Sequence, residues 1–298
     1  MPRFHPATAL VGGIFAVSTG AIFARLAQSP PLVTAAYRVG LAVLIMTPAC
    51  LYFSRNAWRR MTRRQLMVGV AAGAFLALHF ATWIASLDYT SVANSVVLVN
   101  TNPLWVGLMS PIVTGERVHR LTAMGIFLSL VGGAVIGYSD ATAGSHALTG
   151  DLLALAGGIC AAVYLMLGRN LRRHLPVSAY VLICYGSAAI ILWMLVGLFR
   201  QPVTGYARGT WAAFLGMALV AQVIGHTSYN WALGWVTPGL VAISLLGEPV
   251  CASIMAYILF GEALTPMKLI GGGVILAAIA LAALGEKRAA SLPSPMPP

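Results

Sequence analysis

The sequence predicts an all-α integral membrane protein of ten transmembrane helices, arranged as two five-helix repeats inserted with opposite orientations. Three observations carry that prediction. Of 298 residues, 59% are hydrophobic and only 8% are charged, against about 25% charged in a soluble domain, so most of the surface is unsuited to water. Ten segments have the length and apolar character of a bilayer-crossing helix: 7–26, 31–53, 65–86, 91–113, 120–138, 150–168, 177–198, 209–232, 237–259 and 265–284. The segments also repeat. Ala9-Leu-Val-Gly12-Gly13-Ile14 matches Ala154-Leu-Ala-Gly157-Gly158-Ile159, and Pro103, Gly115-Glu116 and Gly125 recur as Pro249, Gly261-Glu262 and Gly271. Five spans per unit is an odd number, so the second unit must enter the membrane from the other side. Residues 1–145 form the first repeat, 146–288 the second, and the Pro- and Ser-rich stretch 289–298 a disordered tail.

The cations set the orientation. One side collects Arg3, Arg55, Arg59, Arg60, Arg63, Arg64, Arg117, Arg120, Arg169, Arg172, Arg173, Lys287 and Arg288; the other collects Arg25, Arg200, Arg208 and Lys268. Positive charge gathers in cytoplasmic loops, which places both termini in the cytoplasm and explains the net charge of +11 without nucleic acid. The basic start and apolar run resemble a signal peptide, but Ala24-Arg-Leu-Ala27 carries arginine where a cleavage site needs a small residue, so the first span is expected to be retained. Cys50, Cys160, Cys184 and Cys251 all lie in apolar segments without metal-ligand spacing, which argues against a disulfide framework and against zinc. No GxxxxGK[ST] loop is present for a nucleotide, and no cofactor is expected.

Taken span by span, the polar groups at bilayer depth are few, and each is costly unless it faces a cavity or a partner. In the first span Gly12, Ala16, Gly20 and Ala24 make a small-residue ridge suited to close helix approach. The second carries Tyr37 and Arg38, the latter close enough to its end to snorkel to the headgroups, with structural pairing and carboxylate binding equally open. In the third, Phe75, His79 and Trp83 share one helical face, which suits either a pocket for an amphipathic solute or ordinary packing. The fourth holds Asn94, Asn100, Asn102 and Trp105, with Asn102 before Pro103. The fifth has a second ridge at Gly125, Ser129, Gly133 and Gly137, and the sixth has Tyr164. The eighth span aligns Gln222, His226 and Asn230, flanked by Tyr229 and Trp231, while Trp235 reads as an interfacial anchor. In the ninth, Glu248 sits near the midplane before Pro249, whose missing N–H kinks the helix. That carboxyl either serves a substrate ammonium or a proton, or is neutral and bonded to a neighbouring helix. Asn102 and Glu248 occupy matching positions in the two halves. Glu116 and Glu262, at span ends, are expected to bond loop or helix termini.

The spacing Pro-x12-Glu leading into a glycine-rich last helix, present in both halves, resembles the EamA-type members of the drug/metabolite transporter superfamily. Arg38, in Ser29-Pro-Pro-Leu-Val-Thr-Ala-Ala-Tyr-Arg38, also falls where that family commonly has arginine. The resemblance covers the whole chain. It implies ten helices, cytoplasmic termini, a bacterial inner membrane and export of small metabolites or amino acids. Within the family the chain is most similar to the YddG-type exporters of aromatic and other hydrophobic amino acids. The seventh span has no counterpart of Arg38, so the two halves are not equivalent.

Inverted repeats with polar groups near the midplane fit a secondary transporter, with a binding site between the halves. Its substrate-facing residues are expected to be His79, Trp83, Asn102, Tyr164, His226, Asn230 and Glu248, with Pro103 and Pro249 as structural kinks. The partners are a small-molecule substrate and membrane lipid. A membrane-embedded lipid-modifying enzyme would need clustered acids, a metal site or an activated nucleophile, and no two acidic residues lie within one helical turn. Other metabolites or lipophilic drugs would suit similar walls. Proton antiport and facilitated diffusion are both compatible with one buried carboxyl and two histidines.

Overall fold

A computed structural model of the chain describes residues 5–89, 95, 98–113, 119–139, 147–260 and 266–291. Arg3, Asn94, Gly115, Glu116, Arg117, Gly261 and Glu262 lie outside the described residues, as do 292–298 of the tail and the side chains of Gly133 and Gly137. All elements are helical: α1 Pro6–Leu26, α2 Pro31–Phe53, the short α3 Arg55–Arg60, α4 Arg63–Ser86, α5 Asn102–Val113, α6 Arg120–Ser139, α7 Ala147–Arg172, α8 Val177–Leu198, α9 Arg208–Ala232, α10 Pro238–Leu245, α11 Gly247–Phe260 and α12 Pro266–Ser291. The last helix therefore carries Ala289–Ser291, which the sequence assigns to the tail.

Seven stretches are long and apolar enough to cross a membrane, among the described residues: Pro6–Leu26, Pro31–Phe53, Arg63–Ser86, Leu148–Arg172, Val177–Leu198, Arg208–Ala232 and Pro238–Leu259. Arg120–Gly132 and Leu269–Ala282 are shorter apolar helices, and α5 has 12 residues. With no strand among the described residues, this is an all-helical integral membrane protein, because helices satisfy their own backbone in lipid.

Local chemistry sets several boundaries. Pro6, Pro31 and Pro238 open their helices, where the missing N–H costs nothing. Thr62 and Gln65 form a reciprocal capping box at the start of α4: Gln65 N donates to Thr62 Oγ1 at 3.2 Å, and Thr62 N donates to Gln65 Oε1 at 3.0 Å. The ninth predicted span is interrupted at Leu246, between α10 and α11. Pro249 supplies no N–H for the carbonyl four residues back, that of Leu245, and the helix breaks there. The same geometry recurs at Asn100–Thr101, a turn just before α5, where Pro103 releases the carbonyl of Val99. A Cβ added to Gly158 would stand 2.8 Å from that oxygen, so only glycine lets α7 pass so close.

Helix pairing runs between the two halves of the chain. The most extensive contacts join α6 to α12, α4 to α7, α2 to α8 and α1 to α9, and α5 packs on both α7 and α10. Small residues permit the closest of these. An added Cβ at Gly125 would meet Ala278 O at 2.9 Å, and one at Gly132 would meet Gly271 O at 2.8 Å. In α1 the close-packed glycine is Gly13, not the Gly12 of the predicted ridge. A Cβ at Gly13 would lie 2.9 Å from the Tyr229 ring, whereas nothing lies within 4 Å of Gly12. Ala16 and Gly20 of the predicted ridge are buried, and only its Gly12 end faces away, because two adjacent glycines leave the facing one undefined until the partner helix is known.

The arginines closing α7 also do structural work. Arg169 Nη1 donates to Leu233 O and Arg172 Nε to Asn230 O, each at 2.8 Å, and Arg172 Nη1 donates to Leu175 O. Two of these acceptors are carbonyls at the C-terminal end of α9, where cations are favoured.

Candidate functional site

Between the two halves lies a cavity with about 550 Å³ of space between its atoms, of which about 40 Å³ admits the centre of a water molecule. That free space suits a few waters, so a solute the size of an amino acid enters only if the walls part.

Six of the seven residues predicted to face substrate line this cavity: His79 and Trp83 from α4, Asn102 from α5, Tyr164 from α7, His226 from α9 and Glu248 from α11. Three come from each half of the chain. The Pro103 and Pro249 breaks bring Asn102 and Glu248 to the first turns of α5 and α11, so both reach the cavity at interrupted helices. His79 is fixed by a 3.0 Å hydrogen bond between Nδ1 and Gly157 O, and its ring stacks on Trp83 with centroids 6.0 Å apart and planes 9° off parallel. Phe80 meets His226 edge-on at 5.3 Å. Phe75 is partly buried against the core and is not among the lining residues.

Asn230 does not line the cavity. Fully buried, it accepts from Tyr164 OH at 2.5 Å through Oδ1 and donates to Tyr185 OH at 2.8 Å through Nδ2. Of the expected stripe Gln222, His226 and Asn230, His226 alone is among the lining residues, and it closes a π-helix, Met217–His226. The wider i→i+5 turns end at His226, and Thr227–Ala232 is α-helical, with Asn230 buried against Tyr164 and Tyr185. Tyr37 is also elsewhere: it stacks on Phe214 at 4.6 Å, meets Trp193 and Trp211 edge-on, and donates to Val203 O at 2.6 Å. Trp231 and Trp235 lie near each other, 6.1 Å between centroids, with Trp235 half exposed.

Arg38 gains most from the structure. It does not snorkel. Its side chain is 1% exposed and lines the cavity, Nε donates to Gln222 Oε1 at 2.9 Å, and the guanidinium lies over the Phe80 ring, 4.2 Å from the centroid. One signal was available in the sequence: no acidic residue precedes Asp88, so Arg38 has no local ion-pair partner in its own or the flanking spans. Phe80 and Tyr229 also line the cavity and carried no signal beyond being aromatic.

Buried polar atoms concentrate here. Arg38 Nη2, Asn102 Oδ1, His226 Nδ1, Trp83 Nε1 and Tyr229 OH are buried without a hydrogen-bond partner, as is Gln222 Nε2 beside Arg38. Such groups are ordinarily paired, so their gathering around one cavity marks a place where polar atoms of a bound solute can complete them. The remaining wall is apolar and aromatic, a surface matched to a solute with both characters.

The chain is similar to known transporters along most of its length. It is 28% identical over 283 residues to an uncharacterised transporter of Archaeoglobus fulgidus, a match covering 94% of this chain and 96% of that protein. It is 27% identical over 293 residues to the threonine/homoserine exporter RhtA of Escherichia coli K12, covering 93% and 91%. A probable terminal-alkyne amino-acid exporter of Streptantibioticus cattleyicolor is 27% identical over 205 residues, covering 66% and 67%. A solved crystal structure superposes with a TM-score of 0.77 at 20% identity, over 96% of this chain and 99% of that one, which shows a shared fold. The sequence profile of the EamA-like transporter family matches twice, over residues 6–138 and 148–284, and on that match, in an apolar all-helical chain, the protein belongs to the EamA-like transporter family.

Proposed function

We propose that the protein exports aromatic and other hydrophobic amino acids across a bacterial inner membrane, by alternating access around the central cavity. The single observation that carries this reading is the composition of the cavity wall: aromatic and aliphatic side chains surround a few unsatisfied polar atoms, contributed by both halves. His79, Trp83, Asn102, Tyr164, His226 and Glu248 would face the substrate, and Asn230 would hold Tyr164 in place from behind. The names of RhtA and of the alkyne amino-acid exporter support amino acids as the substrate class.

The architecture in this reading is ten spans in two inverted repeats. Exchanging the two halves maps the first span on the sixth, the second on the seventh, and so on through the fifth and tenth. Under that exchange the α4–α7 contact becomes the α1–α9 contact, while the α2–α8 and α6–α12 contacts map onto themselves. Support also comes from the family profile matching each half separately. A cavity between such halves opens to either side when one rocks against the other.

The test is counterflow of labelled tryptophan, phenylalanine and a small neutral amino acid in proteoliposomes of the pure protein, with and without an imposed pH gradient. Saturable counterflow of the aromatic substrates is expected. Persistence without the gradient would favour a uniport-like cycle over proton antiport. Absence of counterflow for every amino acid, from folded protein, would overturn the assignment and direct the search to other metabolites and drugs.

A further inference from the structure

We infer that Arg38 and Glu248 form a two-ended clamp, Arg38 taking the α-carboxylate and Glu248 the α-ammonium of a free amino acid, so that the protein selects zwitterions over amines or acids carrying one charged end. The inference rests on the amino-acid reading above and adds the atoms that recognise the substrate's backbone.

Two opposite formal charges line one small cavity. Arg38 is 1% exposed and Glu248 8% exposed, and both are in apolar surroundings where an incomplete charge is expensive. Arg38 is held from one side only. Gln222 Oε1 takes its Nε and Phe80 lies under its plane, which fixes the guanidinium while Nη2 keeps no partner. A guanidinium oriented in this way offers its remaining N–H groups to a planar carboxylate. Glu248 is held through its backbone, with Ser18 Oγ donating to its carbonyl oxygen at 3.4 Å, and its carboxylate makes no hydrogen bond among the described residues. The pair is therefore not closed on itself by a hydrogen bond. A zwitterion placed between them completes both ends at once, and its side chain meets Trp83, Leu165 and Leu245 in the apolar wall. The other ionisable neighbours on the wall are His79, His226, Tyr164 and Tyr229, and none of them carries a fixed charge that would duplicate either end. A ligand with a single charged end leaves one of the two protein charges uncompleted, which is the kind of loss that gives a polar site its selectivity.

The experiment compares three compounds sharing one ring: phenylalanine, 2-phenylethylamine, which lacks the carboxylate, and 3-phenylpropionate, which lacks the ammonium. Each competes with labelled phenylalanine counterflow in proteoliposomes. With the intact protein, both single-ended compounds are expected to inhibit at least about tenfold more weakly than phenylalanine. In Arg38→Gln the gap between phenylalanine and 2-phenylethylamine should close to within about threefold while the gap to 3-phenylpropionate persists; Glu248→Gln should do the reverse. Where a variant transports too slowly, ligand-induced thermal stabilisation of the purified protein reads the same order. A purely structural role for either residue weakens all three compounds in parallel, and that result overturns the clamp. The ranking in the intact protein stands as a test even where a variant fails to fold: equal inhibition by the three compounds overturns the clamp and leaves the exporter assignment standing. Absence of saturable counterflow for any amino acid overturns both.

Discussion

Tyr164 faces the cavity with its ring and is anchored behind it by Asn230, which is itself tied to Tyr185. Removing the hydroxyl leaves Asn230 Oδ1 buried without its donor. Tyr164→Phe should therefore lower stability by about 1 kcal/mol, read as an earlier thermal unfolding midpoint in detergent, and should weaken substrate affinity less than Trp83→Ala, which removes cavity wall. Glu248→Gln is nearly isosteric and removes only charge. It should cut flux at least about tenfold while the unfolding midpoint stays within a few degrees, and full flux in that variant would remove Glu248 from the mechanism. At this scale the sequence showed which residue types were out of place in an apolar span, and six of its seven choices meet at one cavity. It did not show who faces whom. Asn230 stands behind the wall because Tyr164 and Tyr185, on two other helices, engage its amide, a pairing that residue spacing along one helix does not show. Arg38 was left undecided because its depth along one helix says nothing about the neighbour, Gln222, that turns it inward.

Helices α5 and α11 owe their placement to proline. Pro249→Ala would restore the N–H that can bond Leu245 O, and α10 and α11 would tend to merge into one rod. Stability should be unchanged or higher, transport should fall several-fold, and the divergence between thermal unfolding and counterflow is what identifies a functional break. The break was legible from Pro249, and the turn at Asn100–Thr101, between helical Val99 and α5, from Pro103. Close helix approach gives a second test. Gly13→Leu should destabilise by about 1–3 kcal/mol through overpacking against Tyr229, and Gly12→Leu should cost little because nothing lies within 4 Å. Near-equal unfolding midpoints for the two variants would contradict the α1–α9 packing. Adjacent glycines made this pair ambiguous in sequence, since a ridge read at i+4 accepts either one.

Across the whole molecule, the proposed orientation rests on cations at the ends of helices. Thirteen sit on the proposed cytoplasmic side and four on the other, and of the thirteen Arg169 and Arg172 are also engaged with backbone carbonyls of Asn230, Leu233 and Leu175. Five of the thirteen fall within the single stretch Arg55–Arg64. A bias concentrated beside an early span is an effective one, because loops short enough to be held by the insertion machinery are where positive charge acts. Both ends of the chain should then be cytoplasmic. Single cysteines test this in a background where Cys50, Cys160, Cys184 and Cys251 are replaced. A cysteine at Asn56, exposed on α3, should react with a membrane-impermeant maleimide only after cells are permeabilised. One at Thr204, exposed in the connection between α8 and α9, should react in intact cells. The reverse pattern would invert the topology and, with it, the side from which substrate first meets His79. Labelling of both sites in intact cells would mean a mixed population. In that case the charge bias is too weak to orient two near-equivalent halves, and a lysine added beside Asn56 should restore a single orientation.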